Sequence, residues 1–333
     1  MKTRQREKDL TLIQLFDRFG TEEKARQHLE GVLWKNGMVC PHCQCTEQGK
    51  FSEIKANPAK KVRAGLRWCS NCQAQFTVTI GTIFEDSHLP LRKWLIAWYL
   101  LCSSKKGISS LQLQRLLEIG SYSTALFLSH RIRYALKETG YGGKLSGTVE
   151  ADETLVGGAT KGLGQKGRAN KTAVMAMVQR GGALRSKVLP TVNGTNLKQA
   201  IRENVAVGSQ LHTDLNYGYL GLKFEYDHKA VKHRAGEYSR HEGDNVVTTS
   251  SVESFFSLLK RGVIGTFHHV SKQHLPLYLA EFEHRHNCRK ISDGERTDAG
   301  LKKSVGKRLM YKTPLQRSNG RIEPHDARDE LAP

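Results

Sequence analysis

The stretch Thr148-Val-Glu-Ala-Asp-Glu-Thr-Leu-Val156 decides the fold. Its β-branched and apolar residues suit extended backbone. Side chains alternate along a strand, so Glu150 and Asp152 share one face while Val149 and Ala151 share the other. Asp152 lies nearest the middle of this run. A second acid, Asp214, ends the β-type run Ser209-Gln-Leu-His-Thr-Asp214, where His212 and Asp214 share a face opposite Leu211 and Thr213. A third, Glu253, opens Val252-Glu-Ser-Phe-Phe-Ser-Leu-Leu-Lys-Arg261, which reads as a helix. Val252, Phe255, Phe256 and Leu259 make its apolar stripe, and Glu253, Ser257 and Lys260 lie on another side.

Three acids from separate elements can hold two divalent ions about 4 Å apart, an arrangement that cuts and joins phosphodiester backbones. Hard carboxylate oxygens suit Mg²⁺ or Mn²⁺. Lys260, on the helix of Glu253, is placed to meet a phosphate. Spacing alone leaves Glu150, Glu153, Asp227 and Asp244 as rivals to the trio.

Composition points to the same substrate. Lysine and arginine total 52 against 32 acids in 333 residues, a net charge of +20. So large an excess suits a polyanionic partner, nucleic acid first. A membrane surface fits less well, because no strongly amphipathic basic helix is evident. The longest apolar run, Trp94 to Cys102, is about half of the roughly 20 residues a membrane span needs. The N-terminus leads into no secretory apolar core. The expected location is the cytoplasm, in contact with the nucleoid, where seven cysteines stay reduced.

Four of those cysteines form two pairs, Cys40-Pro-His-Cys43 and Cys69-Ser-Asn-Cys72. Each pair makes a tight turn presenting two thiolates, and four thiolates complete a closed tetrahedral zinc site of structural type. His42 and Cys45 are spare donors expected outside the ligand set. Lys60, Lys61, Arg63 and Arg67 surround this ribbon, with Lys61 and Arg63 as candidate phosphate contacts.

Between ribbon and acids the pattern turns helical. Pro90 through Leu101 reads as an apolar helix with proline in its first turn. Lys106 through Leu136 resembles a helix-turn-helix: Ser109 or Ser110 caps the first helix, Ile119-Gly-Ser121 turns, and Ser121 or Ser123 caps the second. His130, Arg131 and Arg133 would give that second helix a basic face for the major groove.

Taken together, these motifs resemble the bacterial insertion-sequence DDE transposases with an N-terminal zinc ribbon, the ISXO-type group, from about residue 15 to 312. The most specific pieces are the two Cys pairs, Val149 through Gly158, His212-Thr-Asp214 and Val252 through Gly262. Thr266-Phe-His-His-Val-Ser-Lys272 and Tyr278 through Asn287 add to them. The resemblance implies an RNase H-like catalytic fold, with Asp152 and Asp214 as the first two metal ligands and Glu253 as the third. Related proteins often carry Asn in the short run before the Val-Glu pair. Here that run is Thr248-Thr-Ser-Ser251, which departs from the pattern.

The expected fold class is thus α/β, a mixed-sheet RNase H-like domain preceded by a zinc ribbon and a helix-turn-helix-like region. Expected segments are a helical piece at 1–37, the ribbon at 38–82, the helical DNA-binding region at 88–140, the catalytic domain at 147–290, and a basic then flexible tail at 291–333. Gly140 to Gly147 reads as a linker. The implied activity is binding of terminal inverted repeats in double-stranded DNA, strand cleavage exposing 3′-OH ends, and their joining to target DNA. The implied assembly is a homodimer or higher homo-oligomer. The alternatives are a non-catalytic DNA-binding regulator and a nuclease that cuts without joining.

Overall fold

A computed structural model describes residues 10–138, 143–158, 171–243, 245–310, 316–318 and 321–323. The chain forms two compact units. One comprises residues up to 104, 110–136 and those from 291 onward; the other comprises 105–109 and 137–290.

The first unit opens with helices α1 (Leu12–Phe19) and α2 (Glu22–Leu33), each started by a threonine whose hydroxyl accepts a backbone N–H of the first turn. Strands β1 (Phe51–Ile54), β2 (Leu66–Cys69) and β3 (Ala74–Phe76) form an antiparallel sheet. Helices α3 (Leu91–Ser103), α4 (Ser110–Leu116) and α5 (Tyr122–Leu136) follow. Glu22 caps α3 from a distance in sequence: its carboxylate accepts the N–H groups of Leu91 at 2.7 Å and Arg92 at 3.1 Å. Ser121 caps α5 by accepting the N–H of Thr124 at 3.1 Å.

The second unit is built on a five-stranded sheet. Strands β4 (Thr148–Val156), β5 (Thr172–Gln179) and β6 (Leu184–Leu189) run antiparallel, then α6 (Gly194–Asn204) leads to β7 (Gln210–Asp214) and β8 (Asp227–Val231), parallel to β4. The spatial order is β6-β5-β4-β7-β8. A hairpin, β9 (Ser239–Glu242) and β10 (Asn245–Thr248), precedes α7 (Ser250–Gly262) and α8 (Leu275–Asn287). This is the mixed RNase H-like sheet that the sequence predicts.

Strand β5 is buried over nearly its whole length, because helices cover both faces of the sheet. On one face Val149, Ala151, Met175 and Met177 pack with Leu197 and Ile201 of α6. On the other, Val174, Ala176 and Val178 pack with Val252, Phe255, Phe256 and Leu259, the expected stripe of α7, and with α8. Gly262 allows the close approach of α7 to its neighbours. A Cβ there would lie 2.5 Å from the Phe282 ring and 2.7 Å from the Lys106 carbonyl oxygen. The backbone contact cannot yield by a rotamer change. Gly262→Ala is therefore expected to cost about 1–3 kcal/mol, as overpacking does, measured as a lower urea midpoint.

The chain then returns to the first unit. Helix α9 (Asp293–Lys302) starts with a capping box between Ser292 and Glu295. Its Asp298 accepts hydrogen bonds from Arg18 at 3.1 Å and His28 at 2.8 Å, and Arg296 donates to the Cys102 carbonyl at 2.9 Å. The reading of everything after 291 as a tail is corrected here: Asp293–Lys302 is a packed helix. The flexible tail expected after Tyr311 lies outside the described residues, apart from a strand pair at Gln316–Ser318 and Arg321–Glu323. Residues 140–142 of the expected linker and the rival acid Asp244 also lie outside them. No helix among the described residues is long and apolar enough to cross a membrane.

Candidate active site

The β4–β7 ladder pairs only Thr148–Glu150 with Gln210–His212. Beyond it lie the C-terminal ends of the two parallel strands, the usual ligand position in such sheets. Asp152 lies just past the last pair, and Asp214 is the last residue of β7. Asp152, Glu153 and Asp214 each bring a carboxylate oxygen within 4.8 Å of the others. The structure thus unites two acids of the expected trio and adds Glu153. Strand alternation puts Glu153 on the face opposite Asp152. Its longer side chain is fixed there by Asn216, which donates to Oε1 at 2.6 Å, and by the Tyr219 hydroxyl, which donates to Oε2.

Burial and the neighbouring Glu153 carboxylate push the Asp152 pKa up to about 7. Burial also raises that of Glu153. Buried carboxylates this close together repel one another, and a divalent cation would offset that repulsion. Hard oxygen donors in this number fit Mg²⁺ or Mn²⁺.

Glu253 approaches from α7. It is near enough for its charge to raise the Asp152 pKa further. Its carboxylate accepts from the Thr249 hydroxyl at 2.8 Å and meets His233 Nε2 at 3.2 Å. His233 also contacts the Thr249 hydroxyl at 3.0 Å. Glu253 therefore borders the cluster without sharing its tightest contacts. Lys260, two turns further along α7, is exposed.

The rival acids sort by position. Glu150, fully buried, forms an ion pair with Arg180 at 3.0 Å. It also accepts the Ser251 N–H at 2.7 Å and the Ser251 hydroxyl at 3.1 Å, which caps the start of α7. Buried His212 completes the group. Its Nδ1 accepts from Arg180 at 3.3 Å, and burial together with the Arg180 charge lowers its pKa. Glu150 thus acts on Glu253 through the helix that carries it. Glu150→Ala leaves Arg180 unpaired and α7 uncapped. We expect a loss of about 3 kcal/mol, read by thermal unfolding. Asp227 begins β8 beside Gln210, at the opposite end of the parallel strands from Asp214.

In the ribbon, the sulfurs of Cys40, Cys43, Cys69 and Cys72 converge. Sγ–Sγ distances of 3.7 Å separate Cys40 from Cys72 and Cys43 from Cys69. Four thiolates at the usual Zn–S bond length of about 2.3 Å would sit about 3.8 Å apart, so the cradle fits zinc. Asn71 donates to Cys43 Sγ at 3.4 Å and draws that thiol down to about 6, whereas burial pushes Cys72 up to about 12. His42 turns away to the Gln75 carbonyl, 3.2 Å distant. Lys55, Lys60, Lys61 and Arg63 are exposed on the β1–β2 connection, while Arg67 pairs with Glu53 at 3.1 Å and Glu30 at 3.5 Å.

The proposed basic face of α5 is corrected. Arg131 is buried over the Trp94 ring, 4.8 Å from its centroid, and donates to the carbonyls of Ile83 and Glu85. Burial lowers its pKa to about 10. Arg133 is fully buried and donates to the Ser129 hydroxyl at 3.3 Å. Neither side chain is presented for DNA, because the interior of the unit uses both. The exposed part of α5 is its first turn, Tyr122, Ser123 and Thr124.

A mixed sheet with acids at the ends of its parallel strands, joined in one chain to a four-cysteine ribbon, defines a class of α/β proteins with two candidate metal centres. Residues 144–287 match the ISXO2-like transposase domain, and residues 20–75 match the transposase zinc-ribbon domain. The chain is also 28% identical over 287 residues to the uncharacterized protein in transposable element ISH50 of Halobacterium salinarum, covering 80% of this chain and 91% of that protein. The chain belongs to the ISXO-type insertion-sequence transposases with an N-terminal zinc ribbon.

Proposed function

We propose that this transposase cuts DNA at the ends of its element to expose 3′-OH groups and joins those ends to target DNA. The observation that carries the reading is the convergence of Asp152, Glu153 and Asp214 beyond the last β4–β7 pair, with the Asp152 carboxyl pushed up to about 7. Asp152 and Asp214 hold Mg²⁺ or Mn²⁺, with Glu253 completing the set from α7 and Glu153 as a further donor. When bound, such ions activate the attacking water or 3′-OH and stabilise the leaving oxygen.

The chain's own groups do the rest. His233 and Thr249 hold the Glu253 carboxylate at the edge of the cluster. Exposed Lys260, on the face of α7 that carries Glu253, offers a cation to a backbone phosphate. Zinc held by Cys40, Cys43, Cys69 and Cys72 fixes the ribbon, whose exposed Lys60, Lys61 and Arg63 meet phosphates of the terminal repeats. Helix α5 reads bases through its exposed first turn, since recognition helices work from their N-terminal residues. Two ends must be joined in one event, which calls for a homodimer or larger assembly on double-stranded DNA, in the cytoplasm where that DNA lies.

The test is incubation of the purified protein with labelled element-end DNA and Mg²⁺. Cutting followed by joining is the expected result. Cutting alone would make the protein a nuclease, and binding without cutting would make it a regulator.

A further inference from the structure

The ten residues after Asp214, Leu215-Asn-Tyr-Gly-Tyr-Leu-Gly-Leu-Lys-Phe224, expose apolar surface beside the acids. Tyr217 is 88% exposed, Phe224 83% and Leu220 65%. Single exposed apolar residues need no explanation, but a run of them within one short segment marks an interaction surface.

The segment is held firmly from beneath. Asn216 accepts the Gly218 N–H at 2.8 Å and donates to Glu153 at 2.6 Å, within the acid cluster itself. Buried Tyr219 donates its hydroxyl to the other Glu153 oxygen, and Leu222 is fully buried. Gly194 and Gly218 pack backbone to backbone: a Cβ on Gly194 would meet the Gly218 carbonyl oxygen at 3.2 Å. Tyr217 thus stands outward from a turn whose neighbouring residues anchor it to a ligand of the proposed metal site.

The charge around it suits a nucleic acid. Lys198 reaches this segment, donating to the Leu220 carbonyl at 3.4 Å, and the Lys223 ammonium lies 5.3 Å from the Phe224 ring centroid. Exposed aromatic faces on a segment with cations along it, next to a cluster of acids, are the combination that binds unstacked bases, since every base offers a π-face.

We infer that Tyr217 is a stacking platform for a nucleobase unpaired next to the scissile phosphate, with Lys198 and Lys223 as flanking cations. This inference rests on the proposed DNA-cutting role of the neighbouring acids. A rigid aromatic there would hold the strand open and fix the phosphate over the acids without touching the reacting atoms, so Tyr217 is a positioning residue.

The test uses three fluorescein-labelled probes in Ca²⁺ at one fixed salt concentration. They are a mixed-sequence single strand, the same strand with abasic sites at every position, and the corresponding duplex. Wild type should bind the natural single strand about tenfold more tightly than Tyr217→Ala does, as loss of one stacked base predicts. Tyr217→Trp and Tyr217→Phe should retain wild-type binding. Wild type and Tyr217→Ala should bind the abasic strand equally, and the duplex within about twofold. Equal binding of the natural strand by wild type and Tyr217→Ala would overturn the inference, as would an equal loss on all three probes, which signals a folding defect. A changed sedimentation of DNA-free Tyr217→Ala with unchanged binding would make this segment a protein contact and also overturn the inference. Cleavage of element ends is scored separately. A wild type that stacks bases but never cuts refutes the transposase chemistry alone, and one that cuts while Tyr217→Ala binds normally refutes only the platform.

Discussion

Asp152→Asn should give a protein that no longer cuts DNA yet, without added divalent metal, melts at a higher temperature than the wild type. Both effects have one cause. Asp152 is buried beside Glu153, with Asp214 and Glu253 adding further repulsion, and its pKa rises from the ordinary 3.8 to about 7. The folded protein therefore holds this proton more tightly than the unfolded chain does. The contribution of Asp152 to stability is highest below about pH 4, falls as pH rises toward 7, and stays lowered above that. Three pKa units correspond to roughly 4 kcal/mol, and solvent screening of the partly exposed Asp152 reduces this to about 2–4 kcal/mol. Asparagine carries no charge and removes that penalty, so the melting difference should be largest at pH 8 and vanish near pH 4. The same substitution removes a carboxylate ligand, and cleavage should fall by at least about 10³-fold. A variant that melts lower than wild type at pH 8 would refute the electrostatic part. One that still cuts would refute the catalytic part.

The second large effect is expected at the ribbon. Its apolar core is small: Phe76 and the cysteines themselves, with Trp34, Phe51 and Ile80 packed against them. Sheets this small do not fold on burial alone. Zinc binding is expected to supply the folding free energy instead, about 10–16 kcal/mol in comparable small sites. Cys69→Ser should leave residues 40–76 unfolded and open to protease while β4–β8 remain protected. Chelation of the wild type should do the same. Metal analysis should find one zinc per wild-type chain, and retention of element-end DNA should fall with its loss. A Cys69→Ser protein that resists protease across the ribbon as wild type does would rule out the structural zinc.

Much of the catalytic unit was legible because its signals are periodic. The alternation of Thr148–Val156 and the stripe of Val252, Phe255, Phe256 and Leu259 each specify a buried face, and both are buried as read. What escaped depends on position in three dimensions. Glu153 was one rival among four, and only Asn216 and Tyr219, which hold its carboxylate beside Asp152 and Asp214, single it out. Glu150 looked like a rival on the correct face, and only the arrival of Arg180 and Ser251 reveals it as a buried cap. Arg131 and Arg133 carried the composition of a DNA-reading face, but stacking on Trp94 and buried acceptors hold them inside. Helix α9 is polar and contains two glycines, which hid it, although its Ser292–Glu295 capping box was present in the sequence.

The central claim is that the carboxylates at the ends of β4 and β7 are a divalent-metal site. Calorimetric titration of Mn²⁺ into zinc-loaded wild type, Asp152→Asn and Asp214→Asn tests it without any DNA. The account predicts saturable uptake by the wild type and none by either variant over the same concentration range. Uptake by both variants with wild-type stoichiometry and affinity would contradict it.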